Sequence, residues 1–105
     1  MDAHCLVLIT CADRDEGRGI GRRLVEARLA AGVQVIPIDS IYRWKGDLIE
    51  DHETLLIVKT RTSRFEAISA VVDEMHSYEV PPVLMIRIDE ASARYLDWID
   101  ESVEH

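Results

Sequence analysis

Apolar positions recur along the chain with two different periods. Cys5 to Thr10 is a short, continuously apolar, β-branched run ending in polar residues, which predicts a central strand covered on both faces. Ile20, Leu24, Ala27 and Ala31 then recur at helical spacing. Asp13 is placed to N-cap that helix, with Glu16 three residues on as in a capping box, and Gly32 is a suitable stop. Val33 to Trp44 and Leu48 to Thr60 read as two long strands joined by a tight turn at Lys45-Gly46-Asp47. Pro37 cannot donate to a ladder and predicts a bulge or an edge position. Ser63 with Glu66 forms a second capping box before a stripe of Phe65, Ile68, Val72 and Met75. Pro81 and Pro82 end that helix, Val83 to Ile88 reads as another covered strand, and a last helix runs from about Ala91 to Val103 with Leu96, Ile99 and Val103 inward.

The order βαββαβ plus a helix predicts an α+β, ferredoxin-like sandwich over residues 1–105. It has a long hairpin between the second and third strands and an added C-terminal helix. Right-handed crossovers place the first two helices on one face of the sheet. The hairpin arms are about twice the usual strand length. Such an arm spans about 40 Å, whereas a domain of ~100 residues has a radius of gyration near 13 Å. The hairpin end therefore projects beyond its own core while carrying Ile41, Tyr42 and Trp44, which predicts that it lies against a neighbouring subunit in a closed ring.

Composition narrows the function classes. The chain has 105 residues, 48% of them hydrophobic and 30% charged, and a formal charge of −8, values of a globular domain. A field of that sign repels nucleic acid and anionic membrane and favours cations. RNA binding, which this fold can host, needs sheet aromatics and basic surface, but the one Phe belongs to a helix stripe. Cys5 and Cys11 lie about 20 Å apart if the run between them is a strand, too far for a disulfide. Free thiols, an N-terminus without signal-peptide features and the lack of an apolar run near ~18 residues predict a cytoplasmic protein.

Five stretches, in order, give the chain a resemblance. Glu26-Ala-Arg-Leu-Ala-Ala-Gly-Val33 looks like the first-helix signature of the CutA divalent-cation tolerance family, and Ser40-Ile-Tyr-Arg-Trp-Lys-Gly46 matches its S-x-Y-x-W-x-G hairpin. Glu53 and Lys59-Thr60 stand where the family carries E and K-T. His76-Ser-Tyr-Glu-Val-Pro81 resembles H-P-Y-E-x-P, and Tyr95-Leu-Asp-Trp98 resembles the closing Y-L-x-W. The likeness covers about residues 5 to 103. It implies a homotrimer joined through the hairpins and a link to divalent-metal tolerance, chiefly copper, or to signalling. It implies no required cofactor, with copper or another divalent cation as candidate ligand. The chain departs from the family at Gly32 and at Ile9, where members carry Cys, at Gln34 for Asn, at Met75 for a second His and at Ser77 for Pro.

The metal candidates read from donor chemistry are His76 and Cys11, since imidazole and thiolate suit copper. A helix of Met75 and His76 points them about 100° apart, and no C-x-x-C or H-x-x-x-H spacing marks a preformed site. The ligand-cleft or interface candidates are Tyr42, Trp44, Glu53, Lys59 and Tyr78; Glu53 and Lys59 share a strand face about 20 Å apart. Gly17, Gly19 and Gly21 fail the G-x-G-x-x-G spacing because Arg22 occupies the last position, although Arg14, Arg18, Arg22 and Arg23 could meet an anion. The chain contains no Asn, which removes the Arg–Asn pair of acylphosphatases, and no nucleophilic triad stands out, so it reads as a non-enzyme. The competing classes are a PII-like trimeric sensor with a ligand between subunits, and a scaffold for a partner.

Overall fold

The computed structural model describes residues 1–104. It turns the pattern into β1 (His4–Cys11), α1 (Arg14–Glu26), β2 (Gly32–Trp44), β3 (Asp47–Arg61), α2 (Phe65–Met75), β4 (Val83–Arg87) and α3 (Ala93–Ser102). Every strand pair is antiparallel and the sheet order is β2-β3-β1-β4, the ferredoxin-like order. Cys5, Val7, Ile9 and Cys11 point to one face of β1 and meet Leu56 and Val58 of β3 under Ile20 and Leu24 of α1 and Ile68 and Val72 of α2. All ten are fully buried.

The other sheet face carries α3 only at its Gly32 and Arg61 end, where Trp98 stands over Gly32 and Asp100 meets His4 and Arg61, and is otherwise uncovered. Leu6 and Leu8 are half-buried, and Leu84 and Ile86 of β4 are 50% and 47% exposed. The expectation that β1 and β4 are covered on both faces is thus met on one face only within a single chain, and β4 is an edge strand.

The hairpin register runs without a break from Gly32 opposite Lys59 to Trp44 opposite Asp47. Pro37 sits opposite Thr54 without a bulge, because β2 is the other edge and needs no donor there. The turn uses two residues, Lys45 and Gly46, with φ of 48° and 88°, the positive pair a tight hairpin needs. The molecule is 44 Å along its longest axis and 26 Å along the next, and Ile41 and Leu48 near the hairpin end are 70% and 66% exposed.

Three local expectations need correction. First, α1 stops at Glu26, well before Gly32, so Ala27 and Ala31 are not on its stripe. Arg28 adopts φ 59°, its N–H bonds to the Val25 carbonyl, and the Leu29 N–H bonds to the Leu24 carbonyl, which together close a Schellman motif with a non-glycine residue in the left-handed position. The Arg28 side chain accounts for that choice: Nε and Nη2 donate to the carbonyls of Ser102 and Glu101 at 3.2 and 2.8 Å, capping the end of α3. Second, Ser63 does not cap α2, which begins without a side-chain cap after a 3-10 turn at Thr62–Arg64. Asp2 binds this turn instead, accepting from the Ser63 N–H and hydroxyl, from the Thr62 hydroxyl and from Arg61 Nε. Third, Met75 is exposed at the end of α2, while Val71 joins the stripe. The capping of α1 is as expected, Asp13 Oδ1 accepting from the Glu16 N–H at 2.8 Å. A second cluster of Ala31, Ile99 and Val103, with Leu96 against it, docks α3.

Candidate functional site

Cys11, Glu16 and His76 converge from three elements. β1 ends at Cys11, whose odd position faces the core. The Asp13 cap starts α1 so that Glu16 in its first turn leans back over the strand end, and its Oε1 lies 3.5 Å from the Ala12 N–H. His76 is the C-cap of α2 in extended conformation, which swings its ring under the sheet end rather than along the helix. Cys11 Sγ, a Glu16 oxygen and a His76 nitrogen all lie within 4.8 Å of one another. Glu16 joins the two candidates that donor chemistry singles out. Its capping role is what hides it in the sequence.

Hydrogen bonds fix the imidazole. Nε2–H donates to the Thr10 carbonyl at 2.7 Å, so Nδ1 is the nitrogen turned to the cluster, where it accepts the Tyr78 N–H at 3.0 Å. Nδ1 also lies 3.1 Å from Glu16 Oε1, with the His76 side chain wholly buried. The single Nδ1 lone pair already takes the Tyr78 N–H, so a cation bound at Nδ1 beside Glu16 would have to displace that bond. A ring N–H held by a backbone carbonyl is also how metal-ligating histidines are oriented. The thiol is the reluctant member: burial, then the carboxylates of Glu16, Asp13 and Glu53, push Cys11 up to about 12. Cys5 is buried and raised to about 11 by burial, and both thiols are free.

Of the positions at which the family carries other soft donors, Ile9 lies two residues from Cys11 on the same face of β1, whereas Gly32 and Met75 lie elsewhere. Gly32 pairs with Lys59 while Cys11 pairs with Thr54, about 17 Å along β3. A Cβ at Gly32 would stand 3.0 Å from the Trp98 ring, so a side chain there displaces Trp98 and could not reach the cluster. Met75 points to solvent.

A second cavity, about 410 Å³, opens on the uncovered sheet face between the hairpin and the 77–82 segment. Tyr42, Trp44, Glu53 and Tyr78 line it with Glu79, Val80 and Pro82, so four of the five cleft candidates meet in one place. Glu53 is 7% exposed and accepts the Tyr78 hydroxyl. Burial, then that bond and the Glu53 charge, raise the Tyr78 phenol well above its ordinary range. Lys59 is not part of the cavity. It shares the sheet face with Glu53 as expected, but its ammonium donates to Gln34 Oε1, and desolvation lowers it. His52, 95% exposed, pairs with Asp39 near the hairpin's outer end and touches neither cavity nor cluster.

Comparison with known proteins agrees with this architecture. The family described as "CutA1 divalent ion tolerance protein" matches residues 5–102. The divalent-cation tolerance protein CutA of Thermus thermophilus is 44% identical over 98 residues, which is 92% of this chain and 95% of that one. The structure described as the periplasmic divalent cation tolerance protein CutA of Archaeoglobus fulgidus is 40% identical and superposes with a TM-score of 0.93 over 96% of this chain and 99% of that one. CutA1 of Oryza sativa is 33% identical with a TM-score of 0.92, covering 96% and 94%. Among the described residues no helix is long and apolar enough to cross a membrane. The chain belongs to the CutA1 divalent ion tolerance family.

Proposed function

We propose that the protein is a non-enzymatic, cytoplasmic homotrimer that takes up a divalent cation, copper before others, at Cys11, Glu16 and His76. The observation that carries the reading is the 3.1 Å approach of His76 Nδ1 to Glu16 Oε1 beside the Cys11 thiol. Thiolate, imidazole and carboxylate together favour copper or zinc over calcium or magnesium. The cation is cargo, and its charge would oppose the burial and the carboxylate field that now hold the proton on Cys11. The uncovered apolar sheet face and projecting hairpin support the trimer.

Anaerobic equilibrium dialysis against copper, zinc and cobalt tests the proposal, with metal counted per chain. The expected result is one copper per chain, lost in His76→Ala and weakened at least tenfold in Glu16→Gln. Because the thiol is held up at about 12, binding must release its proton, so affinity rises by about tenfold per pH unit through neutrality. No binding tighter than about 0.1 mM, roughly −5.5 kcal/mol, would sink the proposal.

The cavity around Tyr42, Trp44, Glu53 and Tyr78 supports a second reading, a sensor or scaffold with its ligand beside the subunit boundary. Its charged lining is Glu53 and Glu79, which suits a cation rather than the anion or nucleotide of a PII-like sensor. Lys45 Nζ already stands 5.4 Å from the Trp44 ring centroid, the geometry of a cation on an aromatic face.

A further inference from the structure

Another cavity belongs to neither site. It holds about 680 Å³ between α1 and the helix-facing side of β2, lined by Arg14, Arg18, Arg22 and then Val25 on the α1 wall and by Val33, Val35 and Pro37 of β2 opposite. The arginines are spaced four residues apart, so they form one ridge about 12 Å long. Gly21 completes the wall: a Cβ there would meet Val33 Cγ1 at 3.2 Å, so the glycine lets this stretch of α1 settle onto β2 behind the ridge.

Two features of the groove bear on what it can hold. The chain carries 20 acidic residues against 12 Lys and Arg. Even so, among the described residues none of the three guanidiniums makes an ion pair or a side-chain hydrogen bond. Three like charges in successive turns repel one another and gain from an anion placed between them. Beside them, Val25 at the end of the ridge and Val35 on the facing strand are 40% and 36% exposed, and Pro37 is exposed too, so the groove presents open apolar surface next to the charges.

We infer that this groove is a binding site for a small amphiphilic anion, an acid group on an aliphatic body. The arginine ridge takes the phosphate or carboxylate, since guanidinium forks match both bidentately. The apolar surface of Val25, Val33, Val35 and Pro37 takes the chain, and the volume falls within the range of small-molecule sites. A nucleotide is the wrong shape of chemistry here. The lining offers no aromatic ring on which a base could stack and no amide to read its edge, and Thr54 is its one uncharged polar side chain. The site faces the helices, whereas the Glu53 cavity faces the open side of the sheet, and its charge is of opposite sign.

Monomeric decyl phosphate, kept below its micelle concentration, is the probe, titrated calorimetrically into the full chain. The expected result is one site per chain, with inorganic phosphate and decylamine each at least tenfold weaker, and with the methyl NMR signals of Val33 and Val35 moving on binding. Arg18→Gln and Arg18→Glu should weaken decyl phosphate at least tenfold and leave the melting temperature of the free protein unchanged. The inference is overturned if decylamine binds as well as decyl phosphate, if the arginine variants leave affinity unchanged, or if the shifts fall on residues away from the groove. Capture by phosphatidate vesicles alone, without binding of the monomeric probe, also overturns it. So does loss of the trimer in Arg18→Glu without probe binding to the unaltered protein, which marks the groove as a subunit contact.

Discussion

Arg28 does two things that pull in opposite directions. Its left-handed backbone costs roughly 1 kcal/mol relative to glycine, while its guanidinium supplies the carbonyls of Glu101 and Ser102 with donors. Arg28→Ala keeps the backbone cost and loses the donors, and should destabilise by about 1–2 kcal/mol; Arg28→Gly loses the donors but relieves the backbone, and should fall about 1 kcal/mol short of that. Urea unfolding of both variants reads the difference, and an equal loss in the two would mean the backbone is unstrained. Asp2 is the other single residue with a large reach. Burial pushes its carboxyl up, but the bonds from Arg61 and Ser63 outweigh that and hold it well below the usual 3.8. A depressed carboxylate contributes stability that is complete above the unfolded value and is lost as pH falls through the folded one. Asp2→Asn should therefore be less stable than the unaltered protein at pH 6, and the gap should close as pH drops below about 4. A gap independent of pH in acid thermal melts would remove the carboxylate from the account.

The three glycines of α1 sort by what they face. Gly17 and Gly21 lie on the buried side, where a Cβ would come within 3.0 Å of Thr54 Cγ2 and 3.2 Å of Val33 Cγ1, and Gly19 faces open space. Gly19→Ala should raise stability by about 0.5–1 kcal/mol, and Gly17→Ala should lower it by about 1–3 kcal/mol through overpacking; denaturation midpoints in guanidinium decide both. The sequence pattern shows the glycine spacing but not this division, which depends on the closeness of α1 to β3 at Gly17 and to β2 at Gly21. Elements whose signal is their own periodicity are legible in advance: β1, the hairpin, α2 and the positions of Leu96, Ile99 and Val103. Features made by partners distant in the chain are not. α1 ends at Glu26 because Arg28 finds α3, Asp2 displaces Ser63 as the ligand of the turn before α2, and Glu16 joins Cys11 and His76 only when His76 leaves the helix direction. Donor chemistry finds two of that cluster's three members, and the family motif finds Tyr42, Trp44, Glu53 and Tyr78. Lys59 carries the same kind of motif signal and stands apart, because six residues along a strand are too far to share a cavity.

The assembly reading has a direct check on the open sheet face. Ile86 lies on an edge strand and is 47% exposed in one chain, so Ile86→Glu should leave the fold intact by circular dichroism. In solution it should lower the light-scattering mass from three times 12.0 kDa to one chain. An unchanged mass would place the subunit contact elsewhere. The Arg28 bridge has a consequence of another kind, for the order in which the protein is made. Arg28 and Ser102 are separated by 74 residues, and β1 pairs with β4, the last strand to be synthesised. The β2–β3 hairpin can close early through its two-residue turn, but β1 and the turn after α1 wait for β4 and α3. Arg28, just past α1, therefore enters its left-handed turn before its α3 partners exist, and the domain can finish only once α3 is able to dock. A chain stopped before α3 should keep the Asp13 cap of α1 but leave the Arg28 turn without its partners, which makes the docking of α3 the step that commits the fold.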